Sequence, residues 1–462
     1  MAVRETLKDL SDISGPHPPD GDPVPGLVLI FSRDRPLSVP IRVPARGVEI
    51  GRDLDPELAS DEKLSRRHAT VTLDGGRLLR VTDRGSRNGT FVDGVPSAEP
   101  DGRLVEPGAV LRMGQSLLLA VADVRPFEAE PVQAGAAGVI GPTLGRAFRR
   151  IDVVARTSDT LLILGDSGTG KELAARRFHA ASPRAAGPFV AVNCATIPEG
   201  IAERLLFGAR RGAFSGAAAD ADGYLVAAHR GTLFLDELAE LDPAVQPKLL
   251  RVLETREVIP LGDARGRAVD VGICAATLRD VPERVAQGKF REDLYYRMGR
   301  PAVRLPPLRD RREEIPFLIQ HALAAVAPDL RPDVPLVELC LLRPWPGNVR
   351  ELIGEARRAG HTARDKGRTR VDRLDLGTAA GLHLASPAPA PRPAAEAAEA
   401  FPPRARVEEM LRAENGNVTR AAQRLGVHRN QLRRWLVRHE VDPRALEAPP
   451  AARPTPPSSP RG

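Results

Sequence analysis

Residues 160–171 read TLLILGDSGTGK, and no other stretch restricts the fold so tightly. An apolar run of strand type ends at Gly165, and Lys171 opens a helical pattern, so Gly165, Asp166, Ser167, Gly168, Thr169 and Gly170 occupy the turn between strand and helix. Lacking Cβ atoms, the glycines let backbone N–H groups converge on phosphate oxygens, while Lys171 supplies a point charge for the outer phosphates. Further buried-strand candidates, TLFLDE at 232–237 and VDVGICAAT at 269–277, are separated by helical stretches such as 171–181 and 243–255. That alternation predicts an α/β domain on a parallel sheet, with a nucleotide at its strand ends.

The strand TLFLDE ends in two acids, which fits nucleotide hydrolysis. Asp236 is placed to face magnesium and Glu237 to face an attacking water. Glu172 stands where Ser or Thr commonly helps to hold the metal, so magnesium is expected to lean on Asp236.

At 462 residues the chain exceeds one typical hydrophobic core, and 42% apolar with 27% charged residues is globular composition. Residues 1–25 are polar and Pro-rich and are expected to be disordered. From 26 to 122, short β-prone pieces such as GLVLIF, ATVTL and SLLLAV alternate with Gly, Asp and Pro turns, the pattern of a small β-sandwich. A linker is expected at 123–137, the α/β domain at 138–305, a mainly helical part at 306–384, a Pro/Ala linker at 385–403, a last folded piece at 404–443 and a Pro-rich tail at 444–462. The formal charge of +7 points to a polyanionic partner, weakly, because 61 of 67 basic residues are Arg and only six are Lys, as coding bias would also give. Cys194, Cys274 and Cys340 lie far apart without metal-ligand spacing, as buried, reduced thiols would. With no apolar run long enough for a membrane span, the sequence predicts a soluble cytoplasmic protein.

Six motifs, GDSGTGKE, FVAVNC, LFGARRGAFSGA, GTLFLDE, GKFREDLYYRM and WPGNVREL, resemble in order and spacing the AAA+ domain of bacterial enhancer-binding proteins, which activate sigma-54 RNA polymerase. The resemblance covers about residues 138–384. In that family a Glu after the cradle lysine is normal. The resemblance implies ATP and Mg2+ as cofactors, Asn193 as switch partner of Glu237, Arg291 and Arg297 as fingers reaching a neighbouring subunit's ATP, and Arg350 as a sensor from the lid. A finger in trans stabilises charge on the transferred phosphoryl group, so hydrolysis would require a ring, hexamer or heptamer.

The same resemblance gives a use to Gly212, Ala213, Phe214, Ser215, Gly216 and Ala217. A phenylalanine among glycines and alanines has no helix or strand period to sit in; in the family the GAFTGA loop touches sigma-54. Ser215 replaces the usual Thr and removes one methyl, worth roughly 1 kcal/mol at an interface. A second departure is Leu278 after Thr277, where the family commonly has Asn; without that amide near the γ-phosphate, either hydrolysis is expected to be slow or Thr277 suffices for sensing.

At the front, EIGR, LSRRHATV and DRGSRNGTFVDG resemble a forkhead-associated (FHA) domain. This implies that Arg52, Ser65 and Arg66 bind a phosphothreonine, made by a separate threonine kinase, that Arg87 and Asn88 grip the peptide backbone, and that Gly51 and His68 shape the loops. At the back, NGNVTRAAQRLGVHRNQLRRWLVRHEV carries two short amphipathic helices joined at Gly426 and resembles a Fis-type helix-turn-helix. Six arginines and no acid lie from Arg420 to Arg438. Arg420, His428, Arg429, Asn430, Arg433 and Arg434 are the candidates for double-stranded DNA.

The fold expected is therefore multidomain: an all-β FHA sandwich, an α/β AAA+ P-loop ATPase with a helical lid, and an all-α helix-turn-helix. The function expected is a phosphothreonine-controlled activator that binds upstream DNA and remodels sigma-54 RNA polymerase holoenzyme. An alternative is a DNA-binding regulator whose weakened ATPase does not act on sigma-54, motivated by Leu278 and Ser215.

Overall fold

Strand β1 (Gly26–Ser32) is buried along its whole length instead of alternating, so it must have a partner on each face. The computed structural model describes residues 22–383 except 77, 98, 136–137, 199 and 215–217, and residues 404–441 except 415–416, 426–431, 433–434, 437–438 and 440. Of the disorder expected at 1–25, residues 1–21 lie outside the described residues, as do the Pro/Ala linker and the tail, whereas residues 22–25 are placed, with the Val24 carbonyl accepting the Val124 N–H at 2.9 Å. The chain divides after residue 384 into two compact units.

In the first unit, β1 joins β2 (Arg35–Arg42), β6 (Thr90–Val92), β7 (Val95–Pro96), β9 (Val110–Met113) and β10 (Ser116–Val121) in a sheet ordered β2-β1-β10-β9-β6-β7. The second sheet runs β3-β4-β5-β8, from β3 (Val48–Ile50), β4 (Ala69–Asp74), β5 (Leu78–Asp83) and β8 (Arg103–Val105). Leu27, Leu29, Leu111 and Leu118 face Ile50, Val71 and Val81 between the sheets. Val28, Ile30, Val110, Leu117 and Leu119 point the other way and join a core that includes the helices of the lid.

Residues 123–135, expected as part of a linker, are ordered. They hold a short helix α1 (Arg125–Ala129) and strand β11 (Gln133–Gly135), which pairs antiparallel with β12 (Gly138–Ile140). The physical reason is burial: Val124, Phe127 and Val132 sink into the same core as the outer face of the first sheet.

The central domain opens with α2 (Pro142–Thr157), β13 (Thr160–Leu164), α3 (Lys171–Ala181) and β14 (Phe189–Asn193). Two-residue strands β15 (Gly208–Ala209) and β16 (Ala221–Asp222) close the loop between them, before β17 (Gly231–Asp236). A second hairpin, β18 (Glu257–Val258) with β19 (Arg267–Ala268), precedes β20 (Val271–Thr277), helix α4 (Glu292–Met298) and β21 (Ala302–Arg304). The five long strands pair in parallel in the order β14-β17-β20-β13-β21. Asn193 is in register with Asp236, and Leu164 with Thr277, so Gly165, Asn193, Asp236 and Thr277 collect at the carboxyl ends of the strands.

The lid follows as α5 (Ile315–Ala324), α6 (Val334–Leu342) and α7 (Asn348–Asp365). Helix α6 starts where the Asp333 side chain accepts the Leu336 N–H at 2.8 Å, with Pro335 in its first turn. Leu352, Ala356, Ala359 and Ala363 recur at helical spacing along the buried face of α7. In the second unit, α8 (Arg404–Ala413) and α9 (Val418–Arg424) close on Val407, Leu411, Ala421, Ala422, Leu432 and Leu436. No helix among the described residues is long and apolar enough to cross a membrane. The three cysteines are buried and unpaired, and burial pushes the thiols of Cys194 and Cys340 up to about 12.

Because the sandwich and the lid share one core, a cavity at their seam should weaken both. Phe31 is fully buried there; Phe31→Ala is expected to cost about 3–5 kcal/mol in urea unfolding.

Candidate nucleotide site and phosphopeptide loops

The turn after β13 and the start of α7 enclose a cavity of about 490 Å³, lined by residues 167–172, Asn193, Asp236, Glu237, Arg350 and apolar groups including Val139, Leu144 and Phe148. Gly168 and Gly170 adopt φ of +75° and +103°, where a side chain would be strained. A Cβ on Gly168 would also fall 2.2 Å from the Gly347 carbonyl oxygen, so the lid backbone packs directly on the cradle. Lys171 Nζ donates to the Gly165 carbonyl at 3.1 Å and lies 3.3 Å from Glu237 Oε1. Glu172 points along the helix surface and pairs with Arg176.

Burial, and next the charge of Glu237, push the Asp236 carboxyl above the usual range, while Lys171 and Arg350 act the other way. A divalent cation would relieve that crowding of carboxylates, so the donor set fits magnesium. Glu237 has φ +51° and accepts the Leu278 N–H at 3.3 Å on Oε2. Asn193 lines the cavity, but its side chain accepts the Ala195 N–H at 2.9 Å and is not on Glu237. Thr277 is fully buried, its hydroxyl accepts the Arg279 N–H, and it lines a neighbouring cavity with Leu278 instead.

Four residues that sequence reasoning missed brace the cradle. Asn348 Nδ2 donates to the Ser167 carbonyl at 2.9 Å, and the Val349 N–H reaches the Gly168 carbonyl at 3.1 Å. Arg311 Nη2 donates to the Thr169 carbonyl at 2.7 Å while Nη1 pairs with Glu314, whose other oxygen accepts the Gly141 N–H. Arg311 and Glu314 are buried charges that pair with each other, the form in which burial is tolerated, while Arg311 Nε has no protein partner. The signal for Asn348 was its place two residues before Arg350, which itself reaches Ser167 Oγ at 3.3 Å. Arg291 and Arg297 do not line this cavity: Arg291 pairs with Asp293, and Arg297 donates to the Leu253 carbonyl.

Phe214 is 38% exposed, with the Arg204 guanidinium 5.4 Å from its ring centre. The base of its loop is held by Arg210, which bridges Asp220 and Asp263. Gly212 has φ +81° and Ala213 sits against Gly262. Ser215, Gly216 and Ala217 lie outside the described residues.

At one end of the sandwich, Arg66, Arg87 and Asn88 are exposed, and Arg52 and Ser65 half-buried. Ser65 Oγ accepts the Arg87 N–H at 3.3 Å, and Asn88 Nδ2 donates to the Lys63 carbonyl at 2.6 Å. Arg52 Nε is buried with no protein partner. His68 ties the two loops together: Nδ1 accepts the Ser65 N–H and Nε2 meets the Gly89 carbonyl, each at 3.2 Å. Burial holds its pKa below the ordinary value, and because Nδ1 accepts from Ser65, Nε2 is the nitrogen left to donate to the Gly89 carbonyl. Gly51 must be glycine, since a Cβ would lie 1.8 Å from the Arg66 carbonyl oxygen. In the second unit Arg420 is exposed on α9; His428, Arg429, Asn430, Arg433 and Arg434 lie outside the described residues.

A parallel sheet with a glycine cradle, an acidic strand end and a lid arginine defines an AAA+ P-loop ATPase, here joined to an FHA sandwich and a helix-turn-helix. The chain matches the FHA domain family over residues 48–114, the Sigma-54 interaction domain over 140–304, the AAA+ ATPase lid domain over 309–379 and the Fis-family bacterial regulatory proteins over 404–438. It is 39% identical over 306 residues to the transcriptional regulatory protein GlrR of Escherichia coli K12, covering 65% of this chain and 67% of that one. It is 43% identical over 265 residues to ZraR of Salmonella typhi, covering 55% and 60%, and 41% identical over 297 residues to the Nif-specific regulatory protein of Azotobacter vinelandii, covering 63% and 56%. The crystal structure of NtrX from Brucella abortus in complex with ATP aligns with a TM-score of 0.48 at 31% identity, over 68% of this chain and 70% of that one. The chain belongs to the family of sigma-54-dependent transcriptional regulators. It binds and hydrolyses ATP, and its C-terminal domain is a DNA-binding helix-turn-helix.

The raised Asp236 pKa carries a sign. Between the unfolded value near 4 and the folded value the native state binds the extra proton, so this group's contribution to stability falls as pH rises through that window. Asp236→Asn is therefore expected to raise the thermal midpoint of the nucleotide-free protein at pH 7.5, to lose that advantage below about pH 4, and to cut ATP turnover by roughly 100-fold or more.

Proposed function

We propose that this protein activates transcription by using ATP hydrolysis to remodel the closed complex of sigma-54 RNA polymerase, from upstream DNA and under control of a phosphothreonine protein. The observation that carries the reading is Glu237. Its carboxylate lies between Lys171 and the Leu278 N–H, and Lys171 is the group an outer phosphate would attract away. Magnesium, held by Asp236, would neutralise charge on the phosphates. Once Lys171 turns to them, Glu237 is freed to orient and deprotonate the attacking water, with Asn193 and Thr277 as secondary contacts. Arg350 and Ser167 register the γ-phosphate from the lid, and Arg291 and Arg297 complete the neighbouring subunit's site in a ring. The loop at 212–217 carries Phe214 to sigma-54.

On the FHA side, Arg52, Ser65 and Arg66 take the phosphate, with Arg87 and Asn88 on the peptide backbone. The orphan donor on Arg52 and the basic exposed loop end support this. Arg420, His428, Arg429, Asn430, Arg433 and Arg434 carry the DNA contact.

A second reading, a DNA-bound regulator with a weakened ATPase, draws on Leu278, whose apolar side chain is 52% exposed beside the strand end. Measuring ATP turnover and open-complex formation together, with sigma-54 holoenzyme, separates the two. The proposed function expects Glu237→Gln to lose both and Phe214→Ala to keep turnover within about threefold while losing open complexes by more than tenfold. Turnover without promoter opening in the wild type would favour the second reading.

A further inference from the structure

The FHA sandwich touches the lid through more than an apolar face. Arg112 on β9 donates from Nε to Glu338 Oε2 on α6 at 2.8 Å, with side chains only 24% and 13% exposed. The Arg112 guanidinium lies 3.7 Å over the Phe91 ring on β6. Glu338 Oε1 is buried and has no partner of its own, so Arg112 is the cation that makes this carboxylate tolerable inside the seam. Arg312 also crosses, donating to the Gly108 carbonyl at 2.8 Å, and Arg370 pairs with Asp34 at 2.9 Å.

These contacts stand between two sites. Phe91 follows Asn88 by three residues, so the Arg112 stack sits at the end of the loop that His68 ties to Ser65. On the other side, α6 leads to Trp345, which is fully buried and donates from Nε1 to the Cys340 carbonyl at 2.7 Å. Asn348 N–H binds the Trp345 carbonyl, and its side chain holds the Ser167 carbonyl in the cradle. A parallel route is shorter: Arg312, on the Gly108 carbonyl, is adjacent to Arg311, on the Thr169 carbonyl.

We propose that Arg112 and Glu338 are positioning residues for ATP: they seat the lid against the cradle, and phosphothreonine on the FHA loops changes nucleotide affinity through them. The phosphothreonine half rests on the FHA reading above. Since the coupling is an equilibrium property, nucleotide must change phosphopeptide affinity by the same factor.

The test uses the full chain and two measurements. In steady-state turnover, Arg112→Ala and Glu338→Ala are each expected to raise the ATP KM by about fivefold or more with kcat within about twofold. The double variant should be no worse than either single one, and Arg112→Lys, which keeps the charge, should return KM to within about twofold of wild type. A purely structural role would lower the melting temperature without that split. KM values within twofold of wild type in all variants, or strictly additive effects, would overturn the proposal.

In the second measurement, a pooled library of phosphothreonine peptides, against the same pool with unmodified threonine, is expected to shift the ATP dissociation constant by about fivefold or more. The shift should shrink below twofold in Arg112→Ala. If the phosphorylated pool binds through Arg52 but leaves ATP affinity unchanged, the coupling is wrong and the FHA reading survives. If the pool does not bind at all, the FHA reading fails and takes the phosphothreonine half of the proposal with it.

Discussion

The lid is buried on two sides at once, and the geometry of the nucleotide site depends on that constraint. On one side its Gly347 carbonyl lies so close to Gly168 that a side chain there would have no room. On the other, α5 and α6 bury apolar residues against the outer face of the sheet that carries β1. Each fully buried Val, Leu or Ile in that seam is worth about 1.5–3 kcal/mol relative to exposure, whereas the exposed ion pairs on the surface contribute little. The lid therefore cannot leave the sandwich without exposing a core.

The catalytic end has a different character. Lys171 is shared between the cradle carbonyl at Gly165 and the Glu237 carboxylate, and Glu237 is held in a left-handed backbone conformation that non-glycine residues seldom adopt. In the proposed mechanism Glu237 acts on water only once Lys171 has turned to the phosphates, so a single charge would separate binding from chemistry. The backbone N–H of Leu278 is the second group on the Glu237 carboxylate, where the Leu278 side chain offers no polar atom.

How much of this was legible depends on the range of the interactions involved. The strand before Gly165, the acids after 235 and the glycines at 168 and 170 are set by local spacing, and the parallel sheet followed from them. The bracing by Asn348, Arg311 and Glu314 was not legible, because their partners lie more than a hundred residues away and only tertiary packing brings them to the cradle. Residues 123–137 read as a linker because composition does not register that Val124, Phe127 and Val132 have a surface to sink into. A clue was present all the same: GLVLIF and SLLLAV are apolar without alternation, which a sandwich strand with one wet face would not be. Asn193 and Thr277 were placed by resemblance, and here their polar groups are engaged locally.

The dry outer face of the first sheet also bears on how such chains can be rebuilt. An FHA module from an unrelated protein would ordinarily present that surface to water and carry polar side chains on it, so grafted here it would seat charges where Val28, Leu117 and Leu119 now lie. The front of this regulator is therefore not a bead on a string that recombination can exchange freely. Sandwich and lid have to change together, residue against residue, as the two halves of one core.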